Sequence, residues 1–337
     1  MDIGFNNKKY FKAQTHAILE RVKNFNKLYL EFGGRLTFDG HASRVLPGYD
    51  PLNKIQLLKK LGKDVGVLYC INSKVVQKGT RWSDTGLTLE ELALKETNIL
   101  EDHNIDVIGI VATEFSGQKK VVAFKNKLES LGKKLYTTSY IEGYPKNIKN
   151  IFGKKGFPIQ PLIPTNKKLI VVTGAGANSG KMFVCLSQIY HNEKIGIEAG
   201  FAKFETFPIW DLPLNHPINI AYEAATADIG DMNMVDPFHL NAHNIVAINY
   251  NRDIENFAIL KNIMQKICGK TNFTHTYKSP TNMGVNMASK GIINDIVCQS
   301  AAREEVFRRY DFYKNNFKGK KKAQTLKRMN QIIKKIT

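Results

Sequence analysis

Short apolar runs alternate with longer amphipathic stretches along most of this chain. Leu28–Phe32, Val65–Ile71 (VGVLYCI), Asp106–Ala112 (DVIGIVA) and Lys134–Ser139 have the length and β-branched content of buried strands. Between them, Lys8–Phe25, Pro51–Leu61, Leu89–His103 and Gln118–Leu131 repeat apolar residues at helical spacing. Strands apolar on both faces, alternating with helices, imply a parallel sheet covered on both sides. Residues 143–164 collect proline and glycine (Pro145, Gly153, Gly156, Pro158, Pro161, Pro164) and read as a linker. A second run follows: strands at 169–173, 197–204 and 245–249, with helices at about 181–192, 219–227 and 254–268. From Asp295 the pattern is helical to the end. The expected class is therefore α/β. It divides into two Rossmann-like or P-loop-like parallel-sheet units, 1–160 and 161–290, and a helical, basic C-terminal segment, 291–337.

Composition adds a compartment and a warning. The chain has 337 residues and 43% hydrophobic positions, enough for ordinary globular cores. No apolar run reaches spanning length, and the polar N-terminus lacks a signal-peptide core, so no membrane association and a cytoplasmic location are expected. Cys70, Cys185, Cys268 and Cys298 are widely spaced, which predicts reduced, mostly buried thiols rather than a zinc site. The net charge of +19 invites a nucleic-acid reading. About half of that charge, however, lies in the acid-free stretch 312–337, and no nucleic-acid motif is present.

The densest chemistry lies at 168–182, KLIVVTGAGANSGKM. A strand runs into a Gly-rich turn that ends in Gly180-Lys181 and opens an amphipathic helix. Phosphate-binding loops share this layout: backbone amides and a helix N-terminus meet phosphate oxygens, and a lysine pairs with their charge. Gly174, Gly176, Ser179, Gly180 and Lys181 are the expected ligand-binding positions. Two features depart from G-x-x-x-x-G-K-[ST]. Gly174 lies one residue too far back, and Met182 replaces the hydroxyl residue that usually holds Mg²⁺. A metal would then fall to Ser179 or Thr173, or to acids, with Glu205 and Asp228 as the candidates.

Three further polar clusters stand out. In Asp39–Asp50, Arg44 could clamp a phosphate or carboxylate and His41 could move a proton; a loop held by its own hydrogen bonds is the plain alternative. Lys278–Met287 could close over a ligand or simply connect elements. His239 and His243 share a face if helical, but no third metal ligand is evident.

The five-residue gap resembles the dethiobiotin synthetase type of P-loop, G-T-D-T-G-V-G-K-T. Those enzymes follow the loop helix with a G-x-[KR]-V-x-x-x-K-P strand, against which Lys194–Thr206 aligns with Phe204 in place of proline. Lys203 matches the strand-end lysine that points at substrate or phosphate. At larger scale, KLYLEFGGRLTFDGHASRVLPGYDP, AGFAKFETFPIWDLPLNHPINIAYEAATADIGDMNMVDPFHL, NYNRD and YKSPTNMGVNMA resemble a bacterial family, domain-of-unknown-function family 1846, also called uncharacterised protein family 0371. The similarity covers about residues 1–310. The family's loop usually reads A-P-G-P-G-S-G-K, which matches here at Gly176, Ser179, Gly180 and Lys181. The resemblance implies an α/β fold with a helical insertion and, in relatives, a further C-terminal domain. The functional expectation is an enzyme that binds ATP or another phosphorylated ligand at 174–181, with Mg²⁺ as the weaker expectation. It would transfer a phosphoryl group to, or activate, a small-molecule substrate, as a monomer or a homo-oligomer. Lys203, Glu205, His41 and Arg44 are its candidate catalytic residues. A non-catalytic metabolite-binding protein, or an RNA-associated one using the basic tail, is the alternative.

Overall fold

The structure, a computed structural model, describes residues 2–82, 85–176, 178–204 and 207–337. Its centre is one parallel sheet built from β1 (Lys27–Phe32), β2 (Val65–Asn72), β3 (Asp106–Thr113), β4 (Leu135–Thr137), β5 (Leu169–Gly174), β6 (Ala199–Phe204) and β9 (Gly284–Val285). The spatial order is β4-β3-β2-β5-β1-β6-β9. The α/β class and the helical C-terminal region agree with the sequence pattern. The number of sheets does not: β5 enters between β2 and β1, so strands from both sequence segments share one sheet. Local pattern specifies that a segment is a buried strand, and not which neighbour it pairs with.

Chain order explains how the two faces are covered. Helices Asn53–Leu61, Leu89–Asp102 and Lys119–Ser130 connect β1 through β4 and pack on one face, against Leu28, Leu30, Val67, Tyr69, Ile110 and Val171. The segment 141–163 and helix Lys181–Lys194 cover the other, against Tyr29, Cys70, Val111, Ile170, Val172 and Phe201. The Pro/Gly-rich stretch is thus a packed part of the body, with Ile151, Phe157 and Ile163 buried. Because β5 sends its helix to the opposite face from β1 and β2, the winding reverses at the carboxyl ends of these three neighbours. Ligand sites of open α/β sheets form at such points.

The expected strand at 245–249 lies outside this sheet. As β8 (Ile248–Tyr250) it pairs antiparallel with β7 (Asn233–Val235). The four cysteines are free and buried. Among the described residues no helix is long and apolar enough to cross a membrane.

The basic tail is more ordered than a solvated end. Helices Asp295–Asn316 and Gly319–Ile333 fold back on helix Pro217–Ala225, burying Tyr313, Thr325, Met329 and Ile332. Buried Glu223 accepts hydrogen bonds from Arg328 and from Lys335 Nζ at 2.9 Å. Asp228 pairs with Lys321 at 3.2 Å. Three of the tail's cations are therefore already matched to carboxylates of the body.

Candidate functional site

The Gly-rich loop lies at the carboxyl end of β5, between the ends of β1 and β2. Gly180 is the N-cap of the fourteen-residue helix Lys181–Lys194, in the left-handed region at φ 84°, and among the described residues no side chain caps that helix. Its first-turn amides are thus left without a capping side chain, which is the arrangement that receives anions at helix starts. A side chain at 180 is excluded twice over: the φ disfavours it, and a Cβ there would lie 2.6 Å from Thr113 Cγ2. Thr113, at the end of β3, pins the loop by donating its hydroxyl to the Ser179 carbonyl at 3.0 Å. Gly176 packs against the Trp82 indole, where a Cβ would come within 2.8 Å of the ring. Ala177 lies outside the described residues.

Lys181 is the first residue of the helix, and its ammonium turns back onto the loop. It donates to the Gly176 carbonyl at 3.2 Å and lies 3.4 Å from Ser179 Oγ. Met182 packs at the edge of the apolar cluster beneath the helix, so its side chain serves the core. Thr173, the other hydroxyl considered for a metal, is buried and its Oγ1 has no partner among the described residues.

Two neighbouring strands bring charge to the same edge. Glu31 on β1 is in register with Lys203 on β6 and with Val172 on β5. Glu31 and Lys181 also act on the same thiol. Burial pushes Cys185 well up, Glu31 pushes it further, and Lys181 opposes both. Lys203 pairs with Asp253, in the first turn of helix Asn251–Ile267; the second carboxylate oxygen of Asp253 is buried without a partner among the described residues. Beside them Arg252 holds Asp231 at 2.9 Å. Burial raises the Asp231 carboxyl, against the pull of Arg252. Lys181 and Lys203 thus stand at one edge of the sheet, with Glu31 between β5 and β6.

Other expected site residues fall elsewhere. His41 and Arg44 do not reach the loop. Their short helix, Gly40–Val45, packs on the opposite face of the sheet, and both donate to Glu305 of the C-terminal helix at 2.9 Å. Arg308 adds two more hydrogen bonds to the same carboxylate. Burial pushes Glu305 up, but Arg308, His41 and Arg44 outweigh it and hold it well below its usual range. Burial lowers His41 in spite of Glu305. This charge cluster, centred on the buried Glu305, clamps helix Asp295–Asn316 to the N-terminal part of the chain. Asp228 is occupied by Lys321 and the Tyr313 hydroxyl. Glu205 lies outside the described residues. Among those described, no three His, Cys, Asp or Glu side chains are grouped to hold a metal ion. His239 is buried and His243 exposed, their rings tilted at 44° with centres 4.6 Å apart, and no third ligand joins them among the described residues.

Sequence reading missed Glu31, Thr113, Asp253 and Trp82. Glu31 left a trace, as the lone carboxylate in the apolar run KLYLEF. Thr113 and Trp82 left none, because only the pairing of β2, β3 and β5 brings them to the loop. A cavity of about 270 Å³ opens at the amino-terminal edge of the sheet, lined by Asp106, Gly109, Gly132 and Lys134. It lies at the end opposite to the one where α/β sheets build their sites.

Fold and site together define a doubly wound parallel α/β protein with a Gly-rich, lysine-bearing loop at its switch point. The chain belongs to the family described as domain of unknown function DUF1846, N-terminal, which it matches over residues 3–337. A UPF0371 protein of Clostridium tetani (strain Massachusetts / E88) is 47% identical over 310 residues, covering 92% of this chain and 61% of the relative. A UPF0371 protein of Clostridium botulinum (strain ATCC 19397 / Type A) is likewise 47% identical over 309 residues, with the same coverage. The chain therefore spans about three fifths of the length of these relatives.

Proposed function

We propose that the loop 174–181 binds the phosphates of a nucleoside triphosphate or another phosphorylated metabolite, and that the chain serves phosphoryl transfer to, or activation of, a small molecule. The observation that carries this reading is the setting of Lys181. It is a cation at the first position of a helix with no side-chain cap, at the switch point of the sheet, and among the described residues it is bonded only to oxygens of its own loop. A phosphate entering there would take the helix amides and replace the Gly176 carbonyl as the partner of Lys181. Lys203, one strand beyond Glu31, would stabilise charge developing on the transferred group, and Asp253 would keep it oriented. No step is assigned to a protein-held Mg²⁺: Asp253 and Asp231 are engaged by Lys203 and Arg252, and among the described residues no three His, Cys, Asp or Glu side chains are grouped to hold a metal ion.

The test is a thermal shift of the chain with ATP, with and without Mg²⁺, repeated with Lys181→Ala. Stabilisation by ATP that disappears in the variant supports the reading. No shift with ATP, or a shift that survives in Lys181→Ala, removes it.

A further inference from the structure

Two polar motifs far apart in sequence meet beyond the edge strand β9. Helix Pro237–His243 begins at Asp236, whose carboxylate accepts the His239 amide at 3.0 Å and the Thr281 hydroxyl at 2.7 Å. His239 Nδ1 lies 2.9 Å from Ser279 Oγ, and His243 Nε2 lies 2.7 Å from Asn282 Oδ1. Between these groups and Trp210 is a cavity of about 190 Å³.

The hydrogen bonds fix what His239 offers to it. Ser279 is fully buried, and its oxygen already accepts from the Asn282 amide at 3.0 Å. Among the described residues, the one acceptor within reach of the Ser279 proton is His239 Nδ1. The neutral imidazole therefore carries its own proton on Nε2. Nε2 has no partner among the described residues, although His239 is 94% buried and lines the cavity (relative exposure 6%). Burial and the neighbouring His243 lower its pKa, which keeps the ring neutral.

Arg21 supplies the second half of the site. Its guanidinium donates to the Tyr277 hydroxyl at 2.9 Å and to the Asn282 and Met283 carbonyls at 2.9 and 3.2 Å. It also lies 5.1 Å from the Tyr277 ring centre. Among the described residues no carboxylate pairs with it and no acid lines the cavity. A half-buried cation without a counter-charge, beside an unpartnered N–H donor, is the environment an anion completes. The rest of the wall sets apolar Trp210, Pro208, Ile248, Pro280 and Met287 beside neutral polar Asn249, Thr281, Asn282 and Asn286. The volume is below the roughly 300 Å³ at which sites for drug-sized ligands begin.

We infer that this cavity binds a small carboxylate, which accepts from His239 Nε2–H in the field of Arg21 and lays its hydrocarbon part against Trp210 and Met287. The site stands independently of the phosphate loop.

The probes are propionate and its neutral isostere propionamide, followed by histidine-ring nitrogen NMR of the full chain. Saturable displacement of the His239 Nε2 signal by propionate, and a much smaller effect of propionamide, is the expected result. Calorimetry should show propionate binding weakened about tenfold or more in His239→Phe, and partly restored in His239→Gln, which keeps an N–H donor. The inference is overturned by no saturable response to propionate, by equal responses to both probes, or by unchanged affinity in a folded His239→Phe sample. Propionate bears no phosphate, so either outcome is separable from the ATP test.

Discussion

His41 and Glu305 stand 264 residues apart in sequence and 2.9 Å apart in space, imidazole Nδ1 to carboxylate Oε1. Around this contact Arg44 and Arg308 fill the remaining acceptor sites of Glu305, and His41 lies edge-on to Tyr222 at 4.5 Å. Helix Asp295–Asn316 is thereby tied to the short helix Gly40–Val45 that follows β1, far from the Gly-rich turn.

Removing that carboxylate leaves two guanidinium groups and an imidazole without their shared acceptor. Glu305→Ala is expected to cost about 1.5–3 kcal/mol, the range for hydrogen bonds to a charged group, because Arg44 and Arg308 keep contact with water once their acceptor is gone. Urea denaturation checks this directly, and a loss below about 1 kcal/mol would show that the cluster contributes little.

The same cluster predicts an acid limb of stability. Glu305 is held below its ordinary 4.5 in the fold, so its contribution is complete above that value and is lost as pH falls towards the folded pKa. His41 acts in the same direction from below 6.5, because its folded pKa is also depressed. Stability measured between pH 7 and pH 3 should therefore fall steadily, and Glu305→Gln should flatten the part below 4.5.

Gly180→Ala tests the geometry of the loop rather than its charge. A non-glycine residue at φ 84° costs about 1–3 kcal/mol, and contact with Thr113 adds to that. The expected result is a lower melting temperature, with faster amide exchange at 174–183 than elsewhere. An unaffected variant would mean that the helix start is not built as described.

Glu223→Gln should release the tail. With Arg328 and Lys335 freed from their acceptor, helix Gly319–Ile333 retains only Thr325, Met329 and Ile332 as buried anchors. Limited proteolysis should cut within 318–337 sooner than in the parent chain, with the sheet still intact. Equal cutting rates would leave the apolar contacts as the main tether.

Periodicity alone located most of the elements. The strands around 28–32, 65–72, 106–113 and 169–174 appear within a residue or two of the apolar runs that announce them, because burial on both faces demands uninterrupted hydrophobicity. The loop was equally legible, since glycine and lysine at a strand-to-helix turn leave a local signature. Pairing was not. That β5 enters between β1 and β2, that 248–250 joins a separate two-stranded sheet, and that His41 answers to Glu305 depend on contacts beyond the reach of local pattern. The same limit governs chemistry: a strand's pattern places Glu31 on a face, and only the register beside β6 puts Lys203 next to it. What the sequence decides by itself is the local conformation and the side that must be buried. What tertiary structure decides is which charges meet, because a hydrogen bond is made over about 3 Å of space, whatever the distance along the chain.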